Sequence, residues 1–269
     1  MHTDTSLLTA RLSVVVPVYN EAATIGRLLR EVANALPEVS KEIVIVDDCS
    51  RDGTAEWLRR NLSSAEGVWQ RISVDGDGEI DLHRQDTSNT AGFSFTVVFH
   101  ERNRGKGGAV RTGFEHTTGD VIVIQDADLE YDPNDWELML PLIIHRKIAD
   151  VVYGSRFDSR PHRSLYFHHY LANRFISMVF SMLYNQTLAD IEVCYKMFTR
   201  EVLEQLVLTS NDFGIEIEIS AQIARRRCWR IYEVGISYYG RTYEEGKKIN
   251  WRDGVKALGY LVKFRWSHA

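Results

Sequence analysis

Short β-branched runs alternate with helical periods along the first 155 residues. Leu12-Ser13-Val14-Val15-Val16-Pro17 is apolar almost throughout, as a strand buried on both faces must be, and it stops at a proline. From Glu21 onward Ile25, Leu28, Leu29, Val32 and Leu36 recur at helical spacing and end before Pro37. The unit repeats with a strand over 42–46 and a helix over 54–62, then a strand over 95–99 and a helix over 106–116. A fourth strand covers 121–125, and Asp132-Pro133 opens a helix with Asp as N-cap and Pro at the first helical position. Residues 151–154 read as another strand. Strands alternating with helices predict a mostly parallel sheet covered on both faces.

Two stretches depart from this rhythm. Residues 70–92 are polar, with Asp75, Asp77, Glu79, Asp81 and Asp86, and predict a solvated insertion or hairpin. Asp75-Gly76-Asp77-Gly78-Glu79 lacks the Asp-x-Asp-x-Asp-Gly frame of a calcium loop. Residues 165–183 interleave aromatic and aliphatic side chains with His162, Arg163, His168, His169 and Arg174 nearby. This segment is either a helix packed on the sheet or an amphipathic element that touches lipid.

Composition narrows the field only a little. A chain of 269 residues, 44% hydrophobic and 26% charged, suits a soluble globular protein with one substantial core. A net charge of -5 gives no reason to expect nucleic acid as the partner. Cys49, Cys194 and Cys228 form no CxxC pair and no zinc set, which fits a reduced compartment. Residues 1–10 lack the basic and apolar regions of a secretory signal, and no apolar run is long enough to span a bilayer, so a cytoplasmic location is expected.

The candidate chemistry gathers where strands end. In a parallel sheet the ligand crevice lies beyond the carboxyl ends of the strands. Three predicted ends are polar: Pro17-Val18-Tyr19-Asn20-Glu21, Asp47-Asp48-Cys49-Ser50 and Asp126-Ala127-Asp128-Leu129-Glu130. Asp126 and Asp128 stand two apart on extended chain, so both carboxylates can face one point and hold Mg²⁺ or Mn²⁺, with Glu130 as a third ligand. A capping pair would explain them too, but Asp132 already fills that place. Between a strand and a helix, Arg102-Asn103-Arg104-Gly105-Lys106-Gly107-Gly108 offers glycines and a lysine that could approach phosphate, or simply a tight turn. It lacks the Walker frame.

Taken together, PVYNE at 17–21, VDDCSRDGT at 46–54, NRGKGGAVRTGF at 103–114, DADLEYDP at 126–133 and GSRF at 154–157 resemble family 2 glycosyltransferases of GT-A fold. Within that family the chain is most similar to dolichol- and polyprenol-phosphate mannose or glucose synthases, from Leu12 to about Trp251 apart from the insertion. The resemblance implies one GT-A domain, with a nucleotide-sugar half over 12–157 and an acceptor half over 158–269. It implies that Pro17, Tyr19 and Glu21 line the nucleotide pocket and that Val46 and Asp48 contact the base. Asp126 and Asp128 would form the DxD motif, with the Ala127 peptide near the ribose. Glu130 stands where the family often has Gln, and Arg156 would bind phosphate. Asp190 heads a run matching the family's Asp and Gly-Phe-Lys/Arg segment, here Cys194-Tyr195-Lys196. Arg241 and Lys247 would close a cationic loop over the phosphates.

The implied reaction moves mannose or glucose from a GDP- or UDP-sugar to a polyprenyl phosphate, with inversion and with Mg²⁺ or Mn²⁺ as cofactor. A phosphate acceptor is already anionic and needs no general base; a hydroxyl acceptor would, and Asp190 is then the leading candidate. Two alternatives stay open: a saccharide or small-molecule acceptor, or a nucleotide-sugar-binding subunit that works through a partner. Contact with the cytoplasmic face of a membrane is expected through residues 165–184 or a small membrane partner. The basic run Arg225-Arg226-Arg227-Cys228-Trp229-Arg230 reads as a solvated helix end or as a site for anionic headgroups.

Overall fold

A computed structural model describes residues 10–62, 67–69, 71–74, 80–83, 91–157, 167–241 and 251–266. The chain opens with β1 (Arg11–Val18), α1 (Ile25–Asn34), β2 (Ser40–Asp47) and α2 (Thr54–Leu62). A small antiparallel hairpin, β3 (Arg71–Val74) and β4 (Ile80–His83), fills part of the expected polar insertion. Asp75 to Glu79 fall outside the described residues. Then come β5 (Phe93–Phe99), α3 (Gly105–Glu115) and β6 (Val121–Ile124). A 3-10 turn at Pro133–Asp135 leads into α4 (Trp136–Ile144), and Asp132 caps the turn by accepting from the Asn134 N–H. The Asp-Pro signal therefore marks a real start, tightened by one turn.

The second half supplies β7 (Val151–Ser155), α5 (Phe167–Tyr184), β8 (Lys196–Thr199), α6 (Arg200–Glu204), α7 (Gly214–Arg226), β9 (Ile231–Gly235) and α8 (Trp251–Trp266). One seven-stranded sheet runs β5-β2-β1-β6-β8-β7-β9. Neighbours are parallel except β8, which lies antiparallel between β6 and β7. The central strands read as unbroken apolar runs because helices cover both faces: Val14, Val15 and Val16 are fully buried, as are Ile43, Ile45 and Ile122 to Ile124. On α1 the periodic residues Ile25, Leu28, Leu29 and Val32 are the ones buried.

Polar bonds tie the amino end of the sheet. Glu42 accepts from Thr118 Oγ1 at 2.7 Å and from the Gly119 N–H at 2.8 Å, and also from Ser13. With that end sewn shut, the carboxyl ends of β1, β2 and β6 share the open edge. No helix among the described residues is long and apolar enough to cross a membrane.

Candidate active site

The loops after β1 and β2 hold each other. Asn20 takes a left-handed backbone (φ 55°), donates its N–H to Ser50 Oγ and accepts from the Arg51 N–H. Glu21 donates its N–H to Thr54 Oγ1 at 3.0 Å. Thr24 Oγ1 lies 3.0 Å from Glu21 Oε2 and 2.8 Å from the Ala127 carbonyl, so one hydroxyl ties the first loop to the third. Pro17 is half-buried at the end of β1, and Tyr19, 39% exposed, stands at the mouth of the crevice.

Asp126, Ala127 and Asp128 follow β6 directly. Leu129 then adopts φ 62°, a conformation rare for a leucine, and this turn swings Glu130 back beside Asp128. Arg241 lies among the resulting acids. Its Nη2 is 2.9 Å from Asp128 Oδ2 and 3.6 Å from Glu21 Oε1; its N–H donates to Glu130 Oε1 at 2.8 Å. Tyr238 donates its hydroxyl to Glu130 Oε2 at 2.9 Å. Burial together with the charges of Asp126 and Glu130 pushes the Asp128 carboxyl up to about 7, even with Arg241 opposing. Negative charge is thus in excess here. Among the described residues no three acidic or other ligating side chains converge as a ready metal cage: Asp126 is turned to Lys106, and Asp128 and Glu130 to Arg241.

Lys106 does not face the loop surface. Its ammonium points inward, 2.8 Å from Asp126 Oδ1 and 3.2 Å from Glu216 Oε1, and Glu216 in turn lies 2.6 Å from Lys196 Nζ. Burial alone would lower the Lys106 ammonium; the charges of Asp126, Cys194 and Glu216 outweigh it and hold it well above the usual lysine range. A buried chain of alternating charge therefore supports Asp126 from below. The surrounding glycines serve packing: Gly107 and Gly108 donate their N–H groups to the Asn211 carbonyl, and the Gly105 N–H goes to Asp48 Oδ2. A Cβ at Gly107 would run into the Ser210 carbonyl. The tight-turn reading of this loop is the one the geometry favours over a phosphate cradle.

Val46 and Asp48 also depart from expectation. Val46 is fully buried in a small cluster with Val44 and Ala109 under α3, so its side chain cannot reach a base. Asp48 spends both oxygens on the protein, accepting from the Arg104 N–H at 2.7 Å and the Gly105 N–H at 2.8 Å, with His100 Nδ1 2.7 Å away. It shapes the start of α3.

Arg156 and Asp190 come together as a bidentate pair at 2.6 and 2.7 Å, and the Asp190 side chain has no exposure. The guanidinium also lies over the Tyr238 ring, 5.4 Å from its centroid, which brings it beside the Glu130 side of the cluster. Asp190 is therefore committed to Arg156 and is not a free base. Two residues on, Glu192 has no hydrogen-bond partner among the described residues, and burial pushes its carboxyl up to about 7 although Arg156 opposes this. Lys247 lies outside the described residues.

Sequence reasoning missed Thr24, Glu192, Glu216 and Tyr238. Thr24 and Tyr238, in the loops after β1 and β9, are not themselves part of an acidic or glycine-rich signature, and Glu216 hides in an Ile-Glu alternation that suggests a strand while the chain forms α7.

Residues 13–74 and 69–207 match the model of glycosyl transferase family 2, and the chain belongs to that family. It is 26% identical, over 88% of its own length, to an undecaprenyl-phosphate 4-deoxy-4-formamido-L-arabinose transferase of Salmonella choleraesuis (strain SC-B67). A counterpart from Salmonella paratyphi B (strain ATCC BAA-1250 / SPB7) is 25% identical over the same share. The chain spans 62% of the length of these relatives. Among solved structures, glucosyl-3-phosphoglycerate synthase from Mycobacterium tuberculosis superposes over 99% of this chain and 83% of its own in the complex with Mn²⁺, UDP-glucose and phosphoglyceric acid. The TM-score is 0.68 at 15% identity. The same enzyme with phosphoglyceric acid alone gives 0.66 at 17% identity, over 99% of this chain and 84% of its own. The fold is GT-A.

Proposed function

We propose that this chain transfers a hexose, mannose or glucose, from a UDP- or GDP-sugar to a polyprenyl phosphate, with Mg²⁺ or Mn²⁺ as cofactor. The observation that carries the reading is the gathering of Asp128, Glu130 and Glu21 around Arg241 at the carboxyl edge, with Asp126 two residues before Asp128 and Arg156 over the Tyr238 ring beside them. These residues fit a hard divalent cation. The donors are carboxylate oxygens, their charge is in excess at Asp128, and a guanidinium already stands in among them. Asp126, Asp128 and Glu130 would hold the metal, which when bound would supply positive charge to the donor diphosphate. The relatives' name, an undecaprenyl-phosphate transferase, and the Mn²⁺ and UDP-glucose in the M. tuberculosis enzyme support acceptor and donor classes of this kind.

On this reading Pro17, Tyr19 and Glu21 border the nucleotide and the Ala127 peptide lies near the ribose. Lys106 positions Asp126 and does not touch the donor. An acceptor phosphate oxygen bonds to the anomeric carbon from the face opposite the nucleotide. The bond from that carbon to the diphosphate oxygen breaks, and its electron pair leaves with the nucleoside diphosphate. Arg156, Arg241 and Lys247 neutralise the phosphates. No base is required, which agrees with Asp190 being held by Arg156. Residues 12–157 serve the donor and 158–269 the acceptor, at the cytoplasmic face of a membrane.

Glu192 favours a second reading, a hydroxyl acceptor. A carboxyl with no hydrogen-bond partner among the described residues, and raised to about 7 by burial, is suited to take a proton at neutral pH. Incubation with Mn²⁺ and labelled UDP-glucose or GDP-mannose, with and without polyprenyl phosphate, separates the two. Lipid-extractable label that survives Glu192→Gln supports the phosphate acceptor. Soluble glycoside that disappears in Glu192→Gln supports the hydroxyl, and binding without turnover would point to a subunit needing a partner.

A further inference from the structure

The end of α7 remote from the carboxylates has a feature that the transfer chemistry leaves unused. Glu216, near its start, reaches Lys106; Arg227 caps its end roughly three turns away, about 16 Å along the axis. There two adjoining clefts of about 240 and 200 Å³ share Ala224 and Arg227 and open between the ends of α5, α7 and α8. Arg225, Arg227 and Arg265 line them, and among the described residues no carboxylate does.

These cations are held in place by backbone. Arg225 Nη1 donates to the Phe264 carbonyl at 3.2 Å, and Arg265 Nε donates to the Leu183 carbonyl at 3.0 Å. Arg227 sits in the left-handed region (φ 54°), exposed, with no acidic partner among the described residues; Arg265 has none either. In the same cleft the indole N–H of Trp229 is buried and lacks an acceptor among the described residues. The other arginines of the basic run are engaged elsewhere: Arg226 by Gln205, Arg230 by Asp150.

The rim is apolar. Met182, next to Leu183, is 77% exposed, and Trp266, next to Arg265, is 63% exposed. Phe175 and Met178 continue the exposed face of α5, and Val262 that of α8. Arg227 and Arg265, without an acidic partner among the described residues and on the same elements as exposed Trp and Met, match the layering of a membrane surface, phosphate level next to acyl boundary. A soluble anion would satisfy the arginines but would leave the exposed apolar faces of α5 and α8 in water.

We propose that this cleft binds the phosphate headgroup of an anionic membrane lipid, with Arg227 and Arg265 as its ligands and the exposed faces of α5 and α8 against the acyl boundary. The site is separate from the transfer centre and does not depend on which acceptor that centre uses. Co-sedimentation with phosphatidylcholine vesicles, with and without phosphatidylglycerol, tests it. The wild-type chain should bind only when phosphatidylglycerol is present, and Arg227→Gly with Arg265→Gln should weaken that binding about tenfold or more. Glycine suits the left-handed position, so the double variant should keep the wild-type melting curve. Arg59→Gln with Arg60→Gln on α2 removes equal charge and should leave binding unchanged. Undiminished binding by the cleft variant, or equal loss in the α2 variant, would overturn the site. Saturation of Trp229 fluorescence by inorganic phosphate without any partition onto vesicles would overturn the lipid as its ligand.

Discussion

Lys41 shows how one buried charge can organise a turn. Its side chain is 2% exposed, and its ammonium donates to the carbonyls of Ala35 at 2.6 Å, Leu36 at 2.9 Å and Val39 at 3.3 Å. Burial lowers its pKa to about 8 despite the charge of Glu38, so the ammonium is costly to keep, yet three carbonyls depend on it. Lys41→Met would leave those carbonyls without a donor, and we expect a loss of about 2–4 kcal/mol in urea unfolding. Lys196 is the parallel case nearer the site. It is fully buried against Glu216, and Lys196→Met would strand that carboxylate between Lys106 and an apolar stem. A loss of about 3–5 kcal/mol is expected in the same measurement. A variant as stable as the wild type would show that Glu216 is satisfied by Lys106 alone. Neither role could be read from the sequence, where Lys41 looks like an edge residue of an apolar run and Lys196 like part of a family motif.

Among elements, the docking of α3 on the segment before α7 sets the geometry of the loop that carries Lys106. Gly105 (φ 79°) and Gly107 let the helix start lie against Ser210 and Asn211. Gly107→Ala should force them apart, at a cost of about 1–3 kcal/mol, and lower transfer by displacing Lys106 from Asp126. The opposite end of the sheet supplies a pH test. Burial raises the Glu42 carboxyl, but bonds from Ser13, Thr118 and Gly119 outweigh it and hold the pKa below the ordinary value. A depressed folded-state pKa contributes stability that is present above about pH 4.5 and is lost as pH falls through the folded value. Glu42→Gln should therefore be less stable at neutral pH and should show a flatter acid limb in thermal melts between pH 5 and 3. The first half of the chain was legible because β1, β2 and β6 are buried on both faces and α1 keeps a clean period. β8 was not: four residues inserted antiparallel between β6 and β7 leave no local signature, and their register depends on strands far away in sequence.

At the scale of the whole molecule, the site is a meeting of distant segments, which is why half of it was readable. Carboxylates at strand ends stand out as polar interruptions of apolar runs, and that is what makes Asp126, Asp128 and Glu130 candidates in the sequence. Their partners were harder: Arg241 reaches Asp128 from 113 residues along the chain, a contact the folded sheet alone defines. That contact also makes the metal reading testable without an activity assay. A cation bound only by the folded chain, at a hundred times its Kd, adds about 2.7 kcal/mol of stability. For a chain of this size the melting temperature should rise on the order of 5 °C with Mn²⁺. Asp128→Asn should abolish that rise, and a full rise in the variant would remove Asp128 from the metal site. Arg241 separates two roles at once, because on the proposed metal reading its guanidinium would have to leave Asp128 and Glu130 for a metal to enter. Arg241→Gln should keep or enlarge the Mn²⁺ shift while transfer falls by about 10- to 100-fold, since the neutral side chain no longer meets the departing diphosphate. Loss of the thermal shift in this variant would mean that Arg241 builds the acidic cluster and does not merely occupy it.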